Sequence, residues 1–224
     1  MKVIVFDLGG TLMDFEGMPL CWADYYKTGF ENLAKALNCD VSKKDIALSA
    51  EIMKSYNPRI HYREKEYSPD YIFRHCLKHW NTDFALEYAA EKFFNGIQLK
   101  AVIYDDSVEM LQYLKAHGYT ICALTDIPAG MPDAYFKLKI SSLLSYIDFY
   151  VSSQSCGFRK PNIHGMKLIA EKFNVDLSDL IFVGDEEKDK LVAEKIGCKF
   201  YLIDRMGTDE NADINAVCEL KNLI

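Results

Sequence analysis

Apolar residues run almost unbroken through VIVF (3–6), YTICALT (119–125), IDFYVS (147–152), LIFVG (180–184) and KFYLID (199–204). Short runs that are apolar at nearly every position predict strands covered on both faces. Helical segments separate the last four. One, over 107–117, has Asp106 as an N-cap with Glu109 three residues later and stops at Gly118; another, over about 188–196, stops at Gly197 just before the next strand. This alternation through short loops predicts an α/β fold, a parallel sheet wrapped by helices. In such a sheet the loops beyond the strand C-termini gather around one crevice, where ligands bind.

The pattern changes between about 16 and 100. Trp22, Tyr26, Phe30, Leu33 and Leu37 recur at helical spacing, Ser68-Pro69 is a helix start ahead of Ile72 and Cys76, and Asp83 can open a helix that closes at Gly96. Four helices and no strand are expected here, an all-helical block inserted after the first strand. Its hinges fall near 14–18 and 98–106. The expected division is therefore a core of 1–15 and 101–224 and a helical cap of 16–100.

Composition narrows the function without naming it. Of 224 residues, 50% are hydrophobic and 26% charged, an ordinary globular balance with room for one sizeable domain plus a smaller insert. The net charge of −7 argues against nucleic acid and anionic membrane as partners. An anionic small molecule stays open, because a few local cations and a metal can dominate one pocket. Seven cysteines without a CxxC pair, and an N-terminal apolar run too short for a signal peptide, lead us to expect reduced thiols and a cytoplasmic protein.

The chemistry lies at the strand ends. Asp7-Leu8-Gly9-Gly10-Thr11 follows the first run and Thr125-Asp126 ends the second; Arg159-Lys160-Pro161 follows the third, and Asp185 and Asp189 follow the fourth. Asp7 and Asp185 side by side would repel unless a divalent cation lay between them, and oxygen ligands suit magnesium. Lys160 adds a fixed positive charge. Thr125 and the amides around Gly9, Gly10 and Thr11 add donors, and the glycines let backbone approach a ligand. Together these groups suit a phosphoryl group facing an aspartate nucleophile.

Placed in order, VIVFDLGGTL, ICALTD, GFRKP and FVGDEEKD resemble the four motifs of the haloacid dehalogenase superfamily, including a helical cap between the first and second. The resemblance covers almost the whole chain and implies a Rossmann-like core. It also implies a magnesium-dependent phosphatase acting on a small phosphorylated metabolite, as monomer or homodimer. Asp7 would be the nucleophile that forms an aspartyl-phosphate. Mg2+ would be held by Asp7, the Gly9 carbonyl and Asp185, with Asp189 in support. Thr125 would bind a phosphoryl oxygen, and Lys160 would offset charge on Asp7 and on the phosphate. Gly10, Thr11 and Asp126 complete the expected substrate-binding set.

Two departures qualify this. Phosphatases of the family usually carry an aspartate two residues past the nucleophile, which protonates the leaving oxygen and then activates water; here that position is Gly9. A weak or inactive phosphate-binding relative, a phosphonatase and a dehalogenase are the alternatives. The acidic GDEEKD weakens the dehalogenase option, and nothing singles out Lys43, Lys44 or Lys54 as a phosphonatase lysine. The second departure is Asp126, where asparagine is common: a carboxylate there must point away from the phosphate or pair with a cation. Arg159 and His164 read as solvated, and Asp185 can also cap the helix after it. In the cap, Phe15, Glu16, Trp22 and Tyr25 near the hinge, and Arg59, His61 and Arg63, are candidates to meet substrate, although core packing for the aromatics and a wet loop for the basic residues account for them better.

Overall fold

The computed structural model describes residues 2–80 and 85–224. The chain opens with β1 (Lys2–Phe6) and β2 (Met13–Phe15), then helices α1 (Tyr26–Ala36), α2 (Lys43–Ser55), α3 (Pro69–Leu77) and α4 (Leu86–Ile97). β3 (Ala101–Ile103), α5 (Asp105–Ala116), β4 (Tyr119–Thr125), α6 (Asp133–Lys139), α7 (Ser141–Leu144) and β5 (Phe149–Ser152) follow. The last elements are α8 (Ser153–Cys156), α9 (His164–Phe173), β6 (Ile181–Gly184), α10 (Glu187–Ile196) and β7 (Lys199–Leu202). Contacts divide the chain into two units, one of 1–15, 101–126 and 139–224, the other of 16–100 and 127–138.

In the first unit, five strands form a parallel sheet in the order β5-β4-β1-β6-β7. The chain builds outward from β1 through β4 to β5, then crosses to β6 and β7, so the central strand lies at the switch point where ligands bind in such sheets. Val3, Val5, Cys122, Leu124, Val151 and Phe182 bury one face with Met166, Ile169 and Val192. The alternate residues Ile4, Phe6, Ile121 and Ala123 are equally buried. Covered on both faces, these strands read as continuous apolar runs rather than alternating ones.

Three local expectations change. β2 and β3 pair antiparallel, Met13 with Ile103 and Phe15 with Ala101, where only hinges were expected; three residues are too few to show a period. α5 begins at Asp105 with Tyr104 as an N-cap that makes no side-chain bond. Asp106 does not cap it, because its carboxylate is taken by Arg205. Likewise α10 is capped by Glu186, whose side chain accepts from the Asp189 amide while Asp189 accepts from the Glu186 amide; Asp185 does not cap it.

The second unit is helical. Ser68 accepts from the Tyr71 amide and Pro69 takes the first turn of α3. In its core the Phe30 ring lies tilted against Phe93 at 4.7 Å and Phe73 meets Phe93 edge to face at 5.5 Å. Gly29 permits this: a Cβ there would lie 2.5 Å from the Phe93 ring. Segment 127–138 belongs here because Gly130 sits against Phe73 and the Tyr135 hydroxyl donates to Asn95 Oδ1 at 3.0 Å. α4 runs through Gly96 to Ile97; Asp83, expected to open it, lies outside the described residues.

Candidate active site

Asp7 leaves the C-terminal end of the central strand, its amide still bonded to the Val183 carbonyl at 2.9 Å. The chain then knots: the amides of Thr11, Leu12 and Met13 all donate to the Leu8 carbonyl, and Gly10 donates to Met13. Gly10 and Thr11, expected as phosphate donors, thus spend their amides within the loop. Among the described residues no such bond is formed by the amides of Leu8 and Gly9. Gly10 has φ +72°, and a Cβ on it would lie 2.1 Å from Asp185 Oδ2. Thr11 is fully buried, its hydroxyl donating to Asp185 Oδ1 at 3.4 Å.

The remaining expected residues come from the neighbouring strand ends. Thr125 closes β4, beside β1, and is buried. Lys160 extends its ammonium to 2.9 Å from Asp7 Oδ1 and 2.6 Å from Asp189 Oδ1. All three residues are buried. Asp189, at 0% exposure, is no surface helix acid. Asp7, Asp185 and Asp189 each present a carboxylate oxygen within 4.8 Å of the others. Lys160 is the partner of both Asp7 Oδ1 and Asp189 Oδ1, and neither oxygen has a further partner among the described residues.

Asp126 is paired with cations, as a carboxylate at this position requires. It accepts from the Lys160 amide at 3.1 Å, and its other oxygen lies 3.5 Å from the Lys188 ammonium and 4.0 Å from the Arg159 guanidinium. Arg159, read as solvated, is 5% exposed. Burial favours the neutral acid, but Arg159, Lys188 and Lys160 outweigh it and hold the Asp126 carboxyl below the ordinary range. Lys188 also pairs with Glu186 at 3.0 Å. Arg159, Lys160 and Lys188 therefore face five carboxylates: Asp7, Asp126, Asp185, Glu186 and Asp189.

The deficit of two positive charges shows in the acids. Burial, with repulsion from Asp7 and Asp189, raises Asp185 to about 8. Burial raises Asp7 to about 6, with Lys160 opposing and Asp189 adding to the rise. Burial alone would lower the Lys160 pKa, yet Asp189, Asp7 and Asp126 push it up, so it stays charged. Unsaturated carboxylate oxygens around two missing positive charges are a fitting donor set for one hard divalent cation.

The other candidates lie elsewhere. Lys43 and Lys44 are exposed, and Lys54 pairs with Glu51 at 2.8 Å. Arg63 ties Glu66 and the carbonyls of Tyr56 and Lys65 together within the second unit. His61 is exposed, and His164 contacts Phe158 at the start of α9. Phe15 is buried, Trp22 and Tyr25 are half-buried, and Glu16 pairs with Lys100. Sequence reading missed Lys188 and Arg205. Arg205 follows the strand KFYLID as the other site residues follow theirs, so its position was the available signal.

A parallel sheet with an aspartate at the end of its central strand, a lysine from the third loop and paired acids from the fourth defines a class of hydrolase fold. The chain belongs to the haloacid dehalogenase-like hydrolases, whose family profile matches residues 1–197. It is 22% identical over 209 residues to a phosphoglycolate phosphatase of Aliivibrio fischeri, covering 91% of this chain and 84% of that protein. It is 25% identical over 128 residues, 57% of this chain and 56% of the other, to the GMP/IMP nucleotidase YrfG of Escherichia coli. Among solved structures, a HAD phosphatase from Thermococcus onnurineus superposes with a TM-score of 0.64 at 20% identity, covering 100% of this chain and 97% of that one.

Proposed function

We propose that this hydrolase is a magnesium-dependent phosphatase of small phosphorylated metabolites. The observation that carries the reading is the buried trio of Asp7, Lys160 and Asp189 with half-buried Asp185 beside it. The names of its relatives, a phosphatase and a nucleotidase, support phosphoryl chemistry. Asp7 attacks the phosphorus as the ester P–O bond breaks, giving an aspartyl-phosphate and a free alcohol once the leaving oxygen takes a proton. Water then cleaves the acyl phosphate, returning Asp7 and releasing inorganic phosphate. Lys160 holds Asp7 in place and balances charge, Thr125 donates to a phosphoryl oxygen, and the amides of Leu8 and Gly9, not used within the loop, would add donors. Mg2+ held by Asp7, Asp185 and the Gly9 carbonyl, with Asp189 orienting Lys160 behind them, would supply Lewis-acid stabilisation of the phosphoryl oxygens.

Gly9 favours a second reading, a slow or silent phosphate-binding relative, since it offers no proton to the leaving oxygen. A positioned acid or base is worth about 10²–10⁴ in rate. The deciding experiment is phosphate release from p-nitrophenyl phosphate with Mg2+, a leaving group that hardly needs protonation, followed by a panel that includes phosphoglycolate, GMP and IMP. Turnover that Asp7→Asn abolishes supports the phosphatase. No turnover of any ester leaves the binding relative.

A further inference from the structure

Arg205 has no part in the four motifs, yet all three nitrogens of its guanidinium are hydrogen-bonded beside the loop that carries Asp7. Nη1 donates to both oxygens of Asp106, at 2.8 and 3.0 Å, while Nε and Nη2 both donate to the Thr11 carbonyl, at 3.1 and 2.5 Å. The group lies 4.2 Å from the centroid of the Tyr104 ring, with side-chain exposures of 12% for Arg205 and 18% for Asp106. The next carbonyl, of Leu12, accepts from the Tyr104 amide at 3.2 Å and the Ser107 hydroxyl at 2.9 Å. Thr11 in turn hydrogen-bonds Asp185. One side chain from the edge strand's loop therefore fixes the loop that carries Asp7, the start of α5 and, through Thr11, the acid opposite Asp7.

We propose that Arg205 is a positioning residue: it sets the Asp7–Met13 loop, and so Asp7 against Asp185 and Lys160, without touching substrate. The proposal rests on the phosphatase reading for its effect on rate. All three guanidinium nitrogens are already used, which suits a brace rather than a ligand for substrate. A lysine cannot replace it, because a point-charge ammonium cannot span a carboxylate pair and a carbonyl while stacking on a ring.

The test uses the full chain with Arg205→Ala and Arg205→Lys. Misplacing reacting groups by about 1 Å costs on the order of 100-fold, so Arg205→Ala should lower kcat on p-nitrophenyl phosphate by about that factor, with KM changing less. Arg205→Lys should stay low, and millimolar guanidinium ion should restore part of the rate to Arg205→Ala while leaving the parent enzyme unimproved. Hydrogen exchange, which needs no turnover, should quicken at the Thr11, Leu12 and Met13 amides and not along β4 or β6. Should Arg205→Ala fail to fold, Asp106→Asn, which weakens one arm of the brace, should give the same pattern in milder form. Unchanged kcat and exchange would overturn the proposal, as would a rate loss matched by faster exchange throughout the sheet and no guanidinium rescue. If the parent chain turns over no ester, the phosphatase reading fails, and the exchange result alone decides the role of Arg205.

Discussion

Adjacent glycines in the loop after Asp7 sit in different surroundings. Gly9 has open space where a Cβ would be and no left-handed backbone, so a side chain can start there without backbone strain. Gly9→Asp is expected to raise turnover of alkyl phosphates more than that of p-nitrophenyl phosphate; equal gains on both would mean that another group already supplies the proton. Gly10 has neither freedom: Gly10→Ala would combine a strained φ with a clash on Asp185. It is expected to lose magnesium affinity and turnover together, measured by calorimetry and phosphate release. The acids add a pH dependence. Asp185, raised to about 8, and Asp7, raised to about 6, favour their protonated forms in the metal-free site, so a cation binding there competes with protons. Magnesium affinity should therefore climb between pH 6 and 8, and calorimetry in two buffers at pH 7 should detect proton release. Both folded values lie above the unfolded ones, so their stabilising effect on the metal-free fold is present in acid and is lost as pH rises through about 8.

Elements divide by whether their signals are local. Ser68 and Pro69 start α3 as the sequence predicted, since a cap and a fixed φ act within one turn. Ser68→Ala should cost about 1 kcal/mol in urea unfolding. Gly197 ends α10 in the left-handed conformation for the same local reason. Where expectation failed, a remote partner had intervened. Asp106 looked like a cap and is bound instead by Arg205, 99 residues away. Asp185 looked like a cap and faces Thr11, leaving Glu186 and Asp189 to cap each other. β2 and β3 exist because each finds the other, and neither announces itself alone.

At the scale of the molecule, the acid cluster and its lysine all belong to the first unit, which is assembled from three stretches of chain, while the second carries its own aromatic core. Phe93 is the hub of that core, in contact with Phe30, Phe73, Tyr26 and Phe94. Phe93→Ala should destabilise the protein by about 3–5 kcal/mol in urea unfolding. Among the described residues no helix is long and apolar enough to cross a membrane. The sequence by itself determined the parallel sheet, the helical insert and the acids, hydroxyl and lysine at the strand ends, because hydrophobic period, turn residues and motif order are properties of neighbours along the chain. Only the tertiary structure decided which charges meet: that Asp126 is held by Arg159 and Lys188, that Asp189 is buried on Lys160, and that Arg205 bonds Asp106 and the Thr11 carbonyl. Ion pairing and burial depend on distance through space and on lost solvent, and residues brought together from five strand ends carry neither in their order along the chain.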